Sequence, residues 1–353
     1  MSKAIKHGSG SQLLVPLFAL FLVTVFNLLR DPGFFSISII RNNWGHLVLS
    51  GNLVSILHGA SELAILAMAM TLVTSSTKGQ DISVGALAAI AGSVFVSVLR
   101  GQEIGVGTIV SAFAAATLVA ILFALFTGMI VSFFNIQPMI ASLILFTAGR
   151  PIAYWINGGA TPTVESPLLT YIGSFFPGIP VPSPILIVVA FGILVTLVLR
   201  LTTLGLFAQT VGMNERAARL NGINPVFIKL VAFVILGLCA AIAGSLNVCR
   251  IGLINHETIL LDIEMDAILA VAIGGNSLGG GKFKLAGSVI GAYIIQALTI
   301  TLYAMRVSST EVKAYKAIVI IAIVVLGSPV VQERLSALRM TLVRNTRKLA
   351  ESE

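Results

Sequence analysis

Long apolar runs, separated by short polar, glycine-rich or proline-rich breaks, make up almost the whole chain. Ten of them read as membrane-spanning helices: residues 12–29, 53–75, 82–99, 105–133, 137–157, 185–200, 226–248, 264–276, 285–304 and 315–331. None shows the alternation of apolar and polar positions that a membrane β-barrel requires, so the pattern predicts an all-α polytopic membrane protein. The 105–149 stretch must turn at Asn135-Ile136-Gln137-Pro138, where polar side chains and a proline interrupt it. Run 264–276 is short for a crossing, which points to a tilted or partly re-entrant piece shielded by protein. Pro151 is expected to bend or weaken the fifth span. The Gly158–Pro184 connection carries six prolines and is expected to be stiff and non-helical, a surface for something outside the cell. The whole reads as one helical bundle, 12–331, between tails at 1–11 and 332–353.

One polar island stands out between the runs: Thr202-Thr203-Leu204-Gly205, then Gln209 to Pro225. Asn214 is a good N-cap, and Glu215 sits in the first turn, where the helix dipole favours an anion. Arg219 follows four residues later on the same face. Gly222 supplies a left-handed stop and Pro225 prevents continuation, so a helix of about two turns is expected. A connector between two spans needs no such helix, and the island therefore reads as a docking surface for a partner.

Composition agrees. Of the 353 residues 57% are hydrophobic and 10% charged, with a mean hydropathy of +1.00, which excludes an ordinary soluble domain. Charge is absent between Glu103 and Arg150, between Lys229 and Arg250, and between Lys284 and Arg306; the first gap holds two crossings and the others one each. The net charge of +8 does not imply nucleic acid, because the basic residues sit at span edges without interleaved aromatics. With both tails in the cytoplasm, fourteen Lys and Arg fall inside and seven outside, with Arg150 within a span; that bias supports an even number of spans and places the island in the cytoplasm. Lys3 and Lys6 precede an apolar run, Leu13 to Leu29, with no Ala-x-Ala site after it, so an uncleaved first span is expected.

Candidate chemistry is sparse. Gly274 to Phe283 looks like a phosphate-binding loop but has Asn276 where the first glycine belongs and Phe283 in place of the magnesium-holding Ser or Thr; it reads as a tight turn. A second such turn, Lys78 to Gly85, holds Asp81, expected to cap the following helix. The two turns hint at internal duplication. Gly287 and Gly291 form a GxxxG close-packing face. Glu62, in the middle of its run, and Arg150 are ionisable residues within spans: they pair with each other, line an aqueous route or touch solute. Asn135, Gln137 and Asn247 offer hydrogen bonds to a hydroxylated solute or between helices. The four histidines are scattered, Cys239 and Cys249 share one apolar segment, and no catalytic set, metal-ligand spacing or cofactor motif emerges.

Four segments, KGQDISVGAL (78–87), NIQPMIASLILFTAGR (135–150), TTLGLFAQTVGMNERAARLNGIN (202–224) and MDAILAVAIGGNSLGGGKFKLAGSVIGA (265–292), together resemble the permease subunits of bacterial sugar ABC importers of the ribose and galactose type. The AGR ending at Arg150 and the DAILAV run are most similar to the galactofuranose permease branch. Lys78 and Gln80 depart from the Gly-Gly-Ile that commonly precedes Asp81. The resemblance implies a coupling loop that docks in a cleft of the ATPase, carried here by Gly212, Asn214, Ala217, Ala218, Arg219 and Gly222, with Glu215 among them. It also implies a second permease chain, ATP-binding subunits that hydrolyse the ATP, a periplasmic sugar-binding protein and a bacterial inner-membrane location. Other solutes, such as a branched-chain amino acid or a furanone-type signal, remain alternatives, as does a secondary transporter with Glu62 as proton carrier.

Overall fold

The computed structural model describes residues 11–41 and 47–327. The terminal lysines and arginines used for orientation, Lys3, Lys6, Arg334, Arg339, Arg344, Arg347 and Lys348, lie outside the described residues, as do positions 328–331 of the last apolar run.

The chain opens with α1 (Ser11–Arg30), followed by a small antiparallel hairpin, β1 (Ser38–Arg41) and β2 (Leu47–Ser50), with Ser38 opposite Ser50. Then come α2 (Asn52–Gly59), α3 (Ser61–Thr77), α4 (Val84–Leu99), α5 (Val106–Phe134) and α6 (Pro138–Ile156). A short α7 (Pro167–Gly173) precedes α8 (Ser183–Leu201), α9 (Leu204–Met213), α10 (Glu215–Leu220) and α11 (Pro225–Ile251). The described chain ends with α12 (Ile263–Ile273), α13 (Leu285–Ala304) and α14 (Ser309–Gly327). Five helices, α5, α6, α8, α11 and α13, are long and apolar enough to cross a membrane, and the α2–α3 pair makes a sixth if its bend belongs to one span.

Among the described residues each apolar run is mainly helical, with three differences from expectation. The hairpin adds strand to an otherwise helical fold, in a segment whose Ile39, Ile40 and Val48 suit a pleated surface. Run 53–75 is two helices bent by 40° where Ala60 separates them. The proline-rich connection contains α7, because Pro167 stands at the first helical position, where a missing N–H costs nothing, and Ser166 caps the helix by accepting from Leu168 N–H at 3.3 Å. The fifth predicted span is α6, which holds Pro151 within it and runs to Ile156.

At the centre stands α3, buried from Ser61 to Ser76, as befits a helix apolar on all sides. It packs against α11, α12 and α13. The GxxxG of α13 is a close-packing face as expected: a Cβ on Gly287 would lie 2.2 Å from the Gly274 carbonyl oxygen, and one on Gly291 2.2 Å from that of Ala270.

Contacts sort the connections into two ends. At one, Gly79 abuts the Pro138 ring, Gln80 Nε2 donates to Leu278 O at 2.7 Å, and Gly281 N–H donates to Ser75 O at 3.0 Å. This end carries α10. At the other, Leu49 N–H donates to Pro180 O at 3.0 Å, Val164 N–H to Gly252 O at 2.8 Å, and Lys313 meets Asp262 at 2.5 Å. This end carries the β hairpin.

Candidate functional site

At its end of the bundle, α10 is built as its sequence prescribes. Asn214 is extended and its Oδ1 accepts from Ala217 N–H at 3.1 Å. Gly222 takes the left-handed conformation, φ 77°. Gly222 N–H returns to Arg219 O at 3.0 Å and Ile223 N–H to Ala218 O at 3.1 Å, which together make a Schellman stop. Ala218, fully buried, packs with Ala208, Val211, Ile228 and Ile223, and this contact sets the helix on the bundle. Opposite it, Leu220 is 89% exposed, a large apolar side chain held out on a short rigid helix.

Arg219 Nη2 meets Glu215 Oε1 at 2.8 Å, and Lys229 Nζ, in the first turns of α11, meets Oε2 at 2.7 Å. Burial works against the Glu215 carboxylate, but the hydrogen bonds and charges of Lys229 and Arg219 outweigh it and hold its pKa below the ordinary 4.5. Lys229 was legible only as a lone cation opening a long uncharged run. Beside α10 lies a cavity of about 680 Å³, lined by Leu204, Phe207, Asn221, Gly222 and Phe227 among others. The preceding α9 was not foreseen as a helix. It brings Gly212 against α3, where a Cβ would sit 1.7 Å from Ser75 O and 2.8 Å from Gly281 N. Glycine alone fits, so α9 rests at once on the end of α3 and on the glycine-rich turn that carries Gly281.

Asp81 does not cap α4. Its Oδ1 accepts from Ser83 N–H at 2.7 Å and from Ser83 Oγ at 2.6 Å, a local turn that leaves Ser83 in the N-cap position without a side-chain cap bond. Asn135 and Gln137 sit exposed at the α5–α6 turn, Asn135 as the left-handed C-cap of α5 and Gln137 as the N-cap position of α6.

Glu62 and Arg150 do not meet. The bend at Ala60 puts Glu62 at the start of α3 rather than in mid-helix, and its partner is Arg250 at the end of α11: Nη2 to Oε1 is 2.8 Å and Nη1 donates to Oε2 at 3.3 Å. Asn247, one turn earlier on α11, is 4% exposed. Arg150 instead donates to four backbone carbonyls, those of His256 at 3.0 Å, Glu257 at 3.3 Å, Ile259 at 3.0 Å and Leu260 at 3.4 Å. It thereby fixes the irregular segment that leads into α12, whose backbone acceptors have no helical or sheet partners.

A family model described as branched-chain amino acid transport system, permease component, matches residues 52–327. The chain is 37% identical to the galactofuranose transporter permease of Escherichia coli K12 over 315 residues, 88% of each chain. It is 33% identical to the fructose import permease of Bifidobacterium longum NCC 2705, covering 92% of this chain and 90% of that one. To the ribose import permease of Escherichia coli K12 it is 35% identical, covering 84% and 88%. No solved structure matches the chain.

Proposed function

The chain belongs to the family of branched-chain amino acid transport permease components, and on that premise we propose that it is the membrane-spanning subunit of an ATP-driven importer for a small sugar. ATP is hydrolysed on a separate subunit, and the chain is not itself an enzyme. The sugar reading rests on the three relatives above, each of which is named for a sugar. The description of the family itself favours a second reading, a branched-chain amino acid as solute.

The observation that carries the mechanism is α10: a capped helix, exposed at Leu220 and Arg219 and tied by Glu215 to Lys229 at the start of α11. It is the coupling helix on which the ATP-binding subunit docks, through Gly212, Asn214, Glu215, Ala217, Ala218, Arg219 and Gly222. Movement of that subunit reaches α11 through the Glu215–Lys229 pair, and α3 through the Gly212–Ser75 contact, so that the bundle changes access as packed units. Glu62, Asn135, Gln137, Arg150 and Asn247 are assigned to the route or its gates, with Glu62–Arg250 closing the hairpin end. The chain works as a single domain, 1–353, beside a second permease chain, and receives its sugar from a periplasmic binding protein at the hairpin end.

The connections alternate between the two ends through α1, α2–α3, α4, α5, α6, α8, α11, α12, α13 and α14, which supports ten crossings with both termini on the α10 side; the excess of Lys and Arg supports assigning that side to the cytoplasm. The test is reconstitution of the importer with its ATP-binding subunit and binding protein in proteoliposomes. ATP-dependent uptake of D-galactose, D-fructose or D-ribose is expected, with none of L-leucine; uptake of leucine alone selects the second reading. Leu220→Asp, Arg219→Glu and Gly222→Pro are each expected to abolish co-purification of the ATP-binding subunit without loss of membrane insertion, and intact complexes would refute the docking assignment.

A further inference from the structure

We propose that Glu264 is a solute contact at mid-depth of the bundle, its carboxylate accepting hydrogen bonds from hydroxyls of the passing sugar at the point where two short helices begin. The assignment rests on the sugar reading given above.

Neither α4 nor α12 is long enough to cross alone. With 16 and 11 residues they span about 24 and 16 Å, against a hydrocarbon core of about 30 Å. Their depth follows from α6, which begins at Pro138 beside Gly79. Gly149 lies 149 − 138 = 11 residues further, about 16 Å up that helix. A Cβ on Gly149 would sit 2.8 Å from Ala86 Cβ, so α4 starts close to halfway. The segment before it climbs inside the protein, with Asp81 and Ser83 fully buried. From the opposite end the segment held by Arg150 descends: Ile254 and Ile259 reach the site of Gly92, and Leu260 O reaches that of Gly85. There α12 begins.

Glu264, in the first turn of α12, fills the space left by the absent side chain of Gly85, in the first turn of α4: a Cβ on Gly85 would fall 2.2 Å from Glu264 Oε2. Glu264 is 2% exposed, and its Oε2 has no hydrogen-bond partner among the described residues. The Oδ2 of Asp81, just before the same end of α4, has none either. Two helix N-termini favour negative charge at this place, yet an unpaired carboxylate at such depth costs several kcal/mol unless it is used. Broken helices meeting at mid-membrane form the solute sites of several transporter architectures. Here the free groups are acceptors without donors, and a neutral polyol brings the donors. Glu62, by comparison, already holds Arg250.

The test compares the reconstituted importer with Glu264→Gln and, separately, Gly85→Ala, which displaces the carboxylate without altering it. Uptake per ATP hydrolysed is measured for D-galactose, D-fructose and D-ribose and for the single-deoxy analogues of each. Discrimination by the binding protein is common to all the complexes and cancels in the ratio. For at least one hydroxyl, its removal is expected to slow the wild type about tenfold and both variants less than about twofold, because the charge-assisted bond is already gone. Variants that keep wild-type discrimination overturn the assignment, as do variants that slow every sugar and analogue by the same factor, which marks a structural role. A wild-type complex that carries none of the three sugars removes the sugar reading itself, and this assignment with it.

Discussion

Two carboxylates in this bundle are each held by a cation from α11, and they differ in everything else. Glu215 sits at the α10 end, open to water, with one partner four residues away and the other at the start of the next helix. Glu62 lies 1% exposed, and its partner Arg250 is 188 residues away in the chain. The Glu215–Arg219 contact follows from helix periodicity; the Glu62–Arg250 contact exists only because the fold brings the bend at Ala60 to the end of α11. Energetically the order reverses, since water screens the legible pair and not the hidden one.

That reversal can be tested from its strongest consequence downward. Arg250→Met leaves the Glu62 carboxylate buried without its cation and is expected to cost about 3 kcal/mol or more, read as a fall in the thermal midpoint in detergent. The double change Glu62→Gln with Arg250→Met is expected to recover most of it, and failure to recover would mean that Arg250 acts through packing rather than charge. Next comes Gly222→Ala, at about 1 kcal/mol, because the left-handed stop of α10 penalises any Cβ. Arg219→Met is expected to shift stability by only about 0.5 kcal/mol, as exposed i,i+4 pairs do, while weakening capture of the ATP-binding subunit; a large stability loss would erase the contrast with Glu62. The smallest effect is that of pH. Glu215 has its pKa depressed, so its clamp is complete above the ordinary value of 4.5 and is lost only as pH falls through the lower folded value. Hydrogen exchange at the α10 amides, corrected for its intrinsic pH dependence, is therefore expected to stay flat from about pH 5 to 8 and to quicken below about pH 4.

What could be read in the chain follows the same division. The apolar runs located each long helix to within a few residues, because burial in lipid or protein imposes the same apolar demand along a whole helix. Asn214 and Gly222 announced the start and stop of α10, since caps are chosen by the local backbone. The glycine turns were read as turns, but not that Gly212 would rest on the one that carries Gly281 and on the end of α3. Glu62 and Arg150 stood out for their rarity, and of the three roles their sequence leaves open, pairing with each other is not the one the fold uses. Each has a nearer solution, one a cation at a helix end and the other a row of carbonyls. Periodicity also passed over the bend at Ala60, since an apolar run reads the same whether straight or broken.

The seam of Gly274, Gly287 and Gly291 has a consequence for biosynthesis. With 11 residues, two of them acidic in its first turn, α12 is a poor candidate for partitioning into lipid by itself as it leaves the ribosome. Zipped backbone to backbone onto α13, which is long and apolar, it can enter as the first arm of a helical hairpin. A bulky residue in the seam would then strand α12 at the translocon, and the defect would show as a wrongly inserted chain, cleared by proteolysis before any question of transport arises.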